Sequence, residues 1–259
     1  MTQNHDVEVV VAGAGAAGLA AALAAGAGGR TVALLEATET FRTSNNTSMS
    51  TSMIPAGGSR WQLEASIDDS PDTFLADIQA KTKGAADPVI SRALVDVAPE
   101  LVAWLADAWD IPLSLVTDFI YPGHSQPRCH TVPDRAGRTL HGHLLDALAH
   151  VPAELITPMS CAGVRVHDGE VVGVDARVPD GATEQIRTPK VVLATGGFGA
   201  NARLVERYTP EIVDGVYFGG EGCQGDALRI AEDLSADTGY LNAYQGHGSL
   251  VASAGVLAT

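Results

Sequence analysis

The sequence predicts an α/β fold in which a parallel central sheet carries helices and an accessory antiparallel β-hairpin layer. Three observations predict this fold. Residues 6–36 read as a strand, a glycine-rich turn, an alanine-rich helix and a second strand, which is the order of a parallel βαβ unit. A late apolar run at 191–194 ends in glycines, as another strand of that sheet would. Between the two, apolar alternation around His167-Asp168-Gly169 predicts a hairpin.

The turn of the first unit is Gly13-x-Gly15-x-x-Gly18, and each glycine has a physical role. Gly13 permits the tight turn, Gly15 lets the backbone approach a pyrophosphate, and Gly18 lets the helix pack closely on the sheet. The pyrophosphate would lie on the free N–H groups of the helix that starts near Ala16. Glu36 ends the second strand, where a carboxylate accepts hydrogen bonds from a ribose diol. The unit therefore predicts a dinucleotide site.

Length and charge narrow the class of protein. The chain has 259 residues, enough for one large domain or two small ones. Its net charge of −15 argues against nucleic acid or an anionic membrane as the main partner. The apolar stretch near residue 10 reaches Arg30 without 18 unbroken apolar residues, so we expect neither a signal peptide nor a membrane span. The chain has three cysteines, Cys129, Cys161 and Cys223, which are odd in number and far apart. We therefore expect reduced thiols, which fit a cytoplasmic location.

Residues 43–52 form a polar segment, TSNNTSMSTS, with too little apolar periodicity for a core element. Two interpretations stay open on composition alone. The segment is either a solvated loop, or a loop whose hydroxyl and N–H groups line a phosphate or a ring system.

Further elements are predicted from prolines, glycines and apolar spacing. We expect a helix over 140–150, a helix after Gly225, and a hairpin partner over 185–194 whose end, 191–194, is a buried strand. His141 and His143 form H-x-H, but residues two apart on a helix point to different faces, so we expect no metal site. Pro71 and Pro88 each follow a residue that caps helices well, so we expect a helix to start at each of them. We expect a third helix to start at Pro99.

Several motifs occur together in one order along the chain. They are GAGAAG, the acid Glu36, TSNNTSMSTSMIPAGG, VVLATGGFG, GCQGDAL and YQGHGS. This combination resembles the flavoprotein family of fumarate reductase and succinate dehydrogenase. The resemblance covers nearly the whole chain and implies a Rossmann-like FAD-binding fold. It also implies FAD as cofactor and hydride transfer between the flavin and an enoate, carboxylate or ketone substrate.

The resemblance also implies which residues bind FAD. The fingerprint and its helix hold the pyrophosphate, Glu36 binds the adenosine ribose, and the 43–52 loop runs beside the diphosphate and the isoalloxazine. Departures from the family pattern are Thr51, Ser52 and Ala227, which stand where glycines are common. The implied cofactor residues are Gly13, Gly15, Ala16, Ala17, Gly18, Glu36, Ser44, Asn46, Thr47, Ser50, Ala162, Thr195, Gly196 and Asp226.

For the substrate, the resemblance implies a smaller set of residues. His247 stands where relatives carry a histidine that binds a substrate carboxylate, and Ser50, on the loop beside the isoalloxazine, is the second residue of the set. The proton donor of the family is an arginine of a cap domain, which we do not find in this sequence, so no catalytic residue is assigned. Further candidates that could face the substrate are His124, Arg128 and His130.

The resemblance divides the chain into an FAD-binding domain, 1–243, and the start of a cap domain, 244–259. On this interpretation the chain is a truncated flavoprotein, and we expect it to be catalytically silent, or nearly so, on its own. No heme motif or cysteine cluster is present, so electrons must come from another donor or acceptor. Two alternatives remain: an NAD-dependent Rossmann dehydrogenase, and a flavin-binding fragment without catalytic activity.

Overall fold

The computed structural model describes residues 5–246, 250–251 and 256–257. The helices in that part of the chain are α1 (Ala16–Ala27), α2 (Phe41–Ser44), α3 (Arg60–Glu64), α4 (Pro71–Lys81), α5 (Pro88–Trp109), α6 (Gly137–Leu148), α7 (Ala202–Tyr208) and α8 (Asp226–Asp233), with a 3₁₀ turn at Pro210–Ile212. The strands are β1 (His5–Asp6), β2 (Val9–Ala12), β3 (Val32–Leu35), β4 (Ile54–Pro55), β5 (Ser114–Leu115), β6 (Cys129–Thr131), β7 (Ala153–Ile156), β8 (Ser160–His167), β9 (Glu170–Arg177), β10 (Thr183–Arg187), β11 (Val191–Leu193), β12 (Leu250–Val251) and β13 (Val256–Leu257).

The central sheet of the described chain consists of parallel strands in the order β11–β2–β3–β7. Every residue of β2 and β3 is apolar and buried, because both faces of the sheet are covered. The βαβ unit expected at the start of the chain is confirmed, since β2 leads through α1 into its parallel neighbour β3. The expected late strand is confirmed too, because β11 pairs with the other edge of β2.

Side chains of the central strands alternate between two cores. Val9 and Val11 of β2 pack with apolar residues of α1, α5 and α6 on one face. Val10 and Ala12 pack with residues of β8, β9 and β10 on the other face. This period of two makes a three-layered arrangement of helices, parallel sheet and antiparallel sheet. The predicted α/β fold with an accessory hairpin layer is confirmed.

The accessory sheet has the strand order β1–β10–β9–β8. The hairpin predicted at residues 167–169 is confirmed, because β8 ends at His167 and β9 begins at Glu170. Asp168 and Gly169 between them both have positive φ, as a two-residue hairpin turn requires. Two smaller antiparallel sheets have the orders β4–β6–β5 and β12–β13. No helix in the described residues combines the length and the apolar character needed to span a bilayer.

The expectation that a helix starts at Pro99 is wrong. α5 runs without interruption through that residue. Ala98 and Val102 on its inner face are buried in the larger core, and Val95 is buried as well. This packing outweighs the backbone hydrogen bond that a proline inside a helix cannot donate. The starts at Pro71 and Pro88 are confirmed, and the side chains of the residues before them cap the two helices.

The strand expected over 185–194 is two strands in two sheets. β10 pairs with β9 as the expected hairpin partner, whereas β11 belongs to the central sheet. The expected burial of β11 is wrong, since Val192 is 38% exposed at the edge of that sheet.

α6 begins earlier than expected, at Gly137, and the helix after Gly225 is confirmed as α8. The three cysteines are free and buried.

Candidate functional site

A cleft opens at the carboxyl edge of the central sheet, where parallel α/β proteins bind nucleotides. The turn after β2, Glu36 after β3, residues 159–161 after β7 and residues 194–196 after β11 all line it. The cleft encloses about 860 Å³ of space, solvent at its mouth included. The loop that follows β3 and the segment before α8 form the remaining walls.

The three fingerprint glycines fit the fold for different reasons. Gly13 has φ +103°, and a Cβ atom there would overlap the carbonyl oxygen of Ala194 on the neighbouring strand end. A Cβ atom at Gly18 would overlap the carbonyl oxygen of Gly13. At Gly15, by contrast, a Cβ atom would meet only Thr47 Oγ1, at an ordinary 3.5 Å. The fold itself therefore requires glycine at 13 and 18, whereas the space beside Gly15 belongs to the cleft.

The N-terminus of α1 faces this cleft and is suited to an anion. Gly15 and Ala16 line the cleft, no acidic residue lies in the first turn, and Gly15 supplies no side-chain cap. The N–H of Ala16 donates to Thr47 Oγ1 at 2.9 Å, which brings the polar loop against the helix. The first N–H groups of a helix have no partner inside it and carry its positive end. These features fit a pyrophosphate.

Glu36 is buried, with 8% of its surface exposed, and it also lines the cleft. Its Oε2 accepts from the N–H of Ala14 at 2.9 Å, and its Oε1 accepts from the N–H and the hydroxyl of Thr38. An ionised carboxylate has about four acceptor positions, so one on Oε2 remains for a ribose hydroxyl. Glu36 thus binds the fingerprint turn as well as facing the cleft, a role that the sequence does not reveal.

Replacing Glu36 by glutamine is expected to destabilise the protein even without cofactor. Each oxygen of the carboxylate faces a backbone N–H, of Ala14 on one side and Thr38 on the other. A glutamine amide must turn its NH₂ group toward one of these donors. We expect Glu36→Gln to lower the free energy of unfolding by about 1–3 kcal/mol, measured by urea denaturation of the apoprotein. Glu39→Gln, at an exposed neighbouring acid, is the control, and equal stability of the two variants would contradict the assignment.

The middle of the polar segment 43–52 contacts the rest of the fold on two sides. Asn46 Oδ1 accepts from the N–H of Gly220 at 2.7 Å, and Asn46 Nδ2 donates to Cys223 Sγ at 3.5 Å. On the other side a Cβ atom at Gly137 would overlap the carbonyl oxygen of Thr47, so α6 packs directly on the loop. Of the two interpretations left open by composition, the structure supports the lining loop.

The opposite wall is held by contacts between the end of β11 and α8. Thr195 Oγ1 accepts from the N–H of Ala227 at 3.2 Å, and Asp226 beside it lines the cleft. Gly196 has φ +74°, and its Cβ position lies 3.0 Å from Cys223 Sγ. The glycine after this strand therefore lets the strand end lie close against the Cys223 side chain at the cleft.

Most of the expected cofactor residues come together at this cleft. Gly18 is buried behind it, and Ser50 is exposed and donates to the carbonyl of Thr47. Ala162 follows the lining residue Cys161, and its carbonyl accepts from Arg229. The expected residues that line the cleft are Gly13, Gly15, Ala16, Ala17, Glu36, Ser44, Asn46, Thr47, Thr195, Gly196 and Asp226.

Sequence reasoning missed part of the lining. Thr38 could have been found, since it lies two residues after Glu36 and has a hydroxyl suited to it. The residues after β7 carry no comparable signal, because the short strand is separated from the fingerprint by more than a hundred residues. The other missed lining residues are Ala12, Leu35, Ala37, Asn45, Met159, Ser160, Cys161, Ala194, Gly220, Gly222 and Cys223.

Two of the proposed substrate-facing residues are structural. Arg128 is 1% exposed and binds Asp69 and Asp77, so its expected role at a substrate is wrong. His130 is fully buried with its Nε2 2.8 Å from Ser59 Oγ, and burial lowers its pKa below the usual value. His124 is half-buried against Phe74, outside the cleft lining. His247 lies outside the described residues.

Comparison with known proteins gives a family match over nearly the whole chain. The model of the FAD binding domain matches residues 8–257. An NADH:fumarate oxidoreductase of Klebsiella pneumoniae is 29% identical over 235 residues, 89% of this chain and 25% of that protein. A fumarate reductase of Schizosaccharomyces pombe is 28% identical over 263 residues, 95% of this chain and 50% of that protein.

A solved structure shows the same fold. The 3-ketosteroid-Δ4-(5α)-dehydrogenase of Rhodococcus jostii, in complex with 4-androstene-3,17-dione, superposes with a TM-score of 0.78 at 26% identity. The match covers 92% of this chain and 56% of that one. The chain therefore spans a quarter to a half of the length of the two curated relatives and little more than half of this structure.

Proposed function

Since the chain belongs to the FAD binding domain family, we propose that it is the flavin-binding portion of an oxidoreductase that acts on an unsaturated or saturated carboxylate. The family and its relatives identify the cofactor as FAD and the chain as part of an oxidoreductase. The observation that carries the proposal is the cleft between the N-terminus of α1, where the N-cap residue Gly15 has no side chain, and the buried Glu36. Those two features suit the pyrophosphate and the ribose of one dinucleotide.

In this proposal the backbone at Gly15, Ala16 and Ala17 holds the pyrophosphate, and Glu36 Oε2 accepts from the ribose. Asn46 and Thr47 keep the polar loop against α1 and the segment at Gly220, so that this loop lines the site. Thr195, Gly196 and Asp226 line the other wall. When bound, FAD supplies the two-electron redox chemistry, and the protein supplies binding and orientation.

The choice of a carboxylate as substrate rests on the relatives. Two curated relatives are named for fumarate, a dicarboxylate with an activated double bond. The structural relative binds a steroid ketone, so a ketone is the second candidate class. His247 is proposed to bind the substrate carboxylate through a hydrogen bond to an anionic oxygen. A separate electron donor or acceptor completes the reaction.

The visible spectrum of the purified chain tests the proposal. We expect absorption bands near roughly 370 and 450 nm and about one FAD per chain, because the oxidised isoalloxazine absorbs there and NAD does not. When the bound flavin is removed, the apoprotein should bind added FAD again and regain these bands, even in the presence of excess NAD. A colourless protein that binds NAD and does not take up FAD would support the dehydrogenase alternative and overturn the proposal.

A further inference from the structure

His141 is a buried histidine that the proposed function does not yet use. It lies on the inner face of α6, with 1% of its surface exposed. Its Nε2 is 2.7 Å from the carbonyl oxygen of Ala14, in the fingerprint turn 127 residues earlier in the chain. The contact therefore joins the helical layer of the fold to the turn at the cleft.

The partner of His141 fixes the form of its ring. A carbonyl oxygen can only accept, so Nε2 carries the proton and donates to Ala14. Asn45 Nδ2 lies 3.4 Å from the same nitrogen, and because both groups are then donors, this is a packing contact and no hydrogen bond. Burial lowers the pKa of His141 below its usual value, which keeps the ring neutral near pH 7.

The peptide groups on both sides of Ala14 are held. The N–H of Ala14 donates to Glu36 Oε2, and its carbonyl accepts from His141. In a trans peptide the C=O and the following N–H point in opposite directions. Because the carbonyl of Ala14 points toward α6, the N–H of Gly15 points away from α6, and Gly15 lines the cleft.

We propose that His141 is a positioning residue for the pyrophosphate of the cofactor, acting through the peptide between Ala14 and Gly15. It holds this peptide in the orientation that presents the Gly15 N–H to an anion. Without the hydrogen bond the buried carbonyl of Ala14 lacks a donor. The peptide is then free to rotate so that this carbonyl meets a different donor. The edge of the Phe41 ring, 5.8 Å away by centroids, keeps the imidazole in place. The inference rests on the proposed FAD site.

Binding of ADP and AMP to the apoprotein separates positioning from general stability. ADP contains a pyrophosphate and AMP does not, whereas both contain the ribose and adenine. We expect His141→Leu to weaken ADP binding by about tenfold, the effect of losing one well-placed hydrogen bond, and to change AMP binding by less than about threefold. Calorimetric titration of the full chain gives both dissociation constants. An unchanged ratio of ADP to AMP affinity would overturn the proposal.

Two polar variants keep the test independent of folding. The Nε2 of a glutamine takes nearly the place of the histidine Nε2, whereas an asparagine is too short to reach the Ala14 carbonyl. His141→Gln is expected to retain ADP affinity within about threefold, and His141→Asn to show the same tenfold loss as the leucine variant. Equal ADP affinity of the two would contradict the proposal. Failure of the unaltered chain to bind ADP or FAD would instead contradict the proposed function.

Discussion

Gly15→Val is expected to abolish FAD binding while leaving the fold intact. The backbone at Gly15 has φ −76° and ψ −179°, an extended conformation that valine adopts readily. A Cβ atom there would meet only Thr47 Oγ1, at 3.5 Å. The protein therefore tolerates the side chain, but its branched carbons occupy the place where the pyrophosphate must approach α1. We expect a loss of at least about 100-fold in FAD affinity, or about 2.7 kcal/mol.

Gly142→Val is the matched control for this substitution. Gly142 lies on α6, where a Cβ atom has no heavy atom within 4 Å, and it is outside the cleft lining. Both variants should unfold at urea concentrations close to that of the unaltered chain, and only the control should purify with FAD. A yellow Gly15→Val protein with one FAD per chain would show that the pyrophosphate lies elsewhere.

Gly18 shows why the choice of glycine decides what the experiment measures. A Cβ atom at Gly18 would overlap the carbonyl of Gly13, so a substitution there disturbs folding before any cofactor is involved. Loss of FAD by a Gly18 variant would therefore say nothing about the cleft. Of the three fingerprint glycines, Gly15 is the one at which binding and folding are separable.

The sequence predicted the elements whose signals are local. The βαβ unit, the role of Gly13 in the turn and the hairpin at 167–169 follow from patterns within about thirty residues. The parallel sheet also brings the ends of β2, β3 and β11 to one edge by its topology, which is why the fingerprint, Glu36 and Thr195 lie together at one cleft.

The parts that could not be predicted depend on contacts between distant residues. From the sequence, His141 is rejected as a metal ligand and has no other role, and Arg128 is a candidate that could face the substrate, because arginine is mostly exposed in proteins. Each is instead buried and bound to groups far away in the chain, Ala14 for the first and Asp69 for the second. No local pattern distinguishes a buried, paired polar residue from an exposed one, since the pairing is decided by tertiary packing.

Arg128→Met is expected to be the most destabilising of the substitutions considered. Arg128 and Asp69 form a two-point ion pair, with Nε–Oδ2 and Nη2–Oδ1 distances of 2.9 and 3.1 Å, and both side chains are fully buried. Nη1 also binds Asp77 Oδ2 at 2.6 Å, and the guanidinium lies over the Phe74 ring. Methionine fills much of the same volume but leaves the carboxylate of Asp69 buried without its cation. Removing one partner of such a pair costs about 3–5 kcal/mol.

Urea denaturation of three variants separates the lost charge pair from lost packing. Arg60→Met removes an exposed two-point pair with Asp107 and is expected to cost far less. Adding Asp69→Asn to Arg128→Met removes the uncompensated charge, so the double variant should recover part of the stability. The single Arg128 variant should keep its affinity for FAD when folded, because the cluster lies outside the cleft lining. If Arg128→Met were as stable as the unaltered chain, the ion pair would not hold α4 against β6, and a role for this arginine at a substrate would again have to be considered.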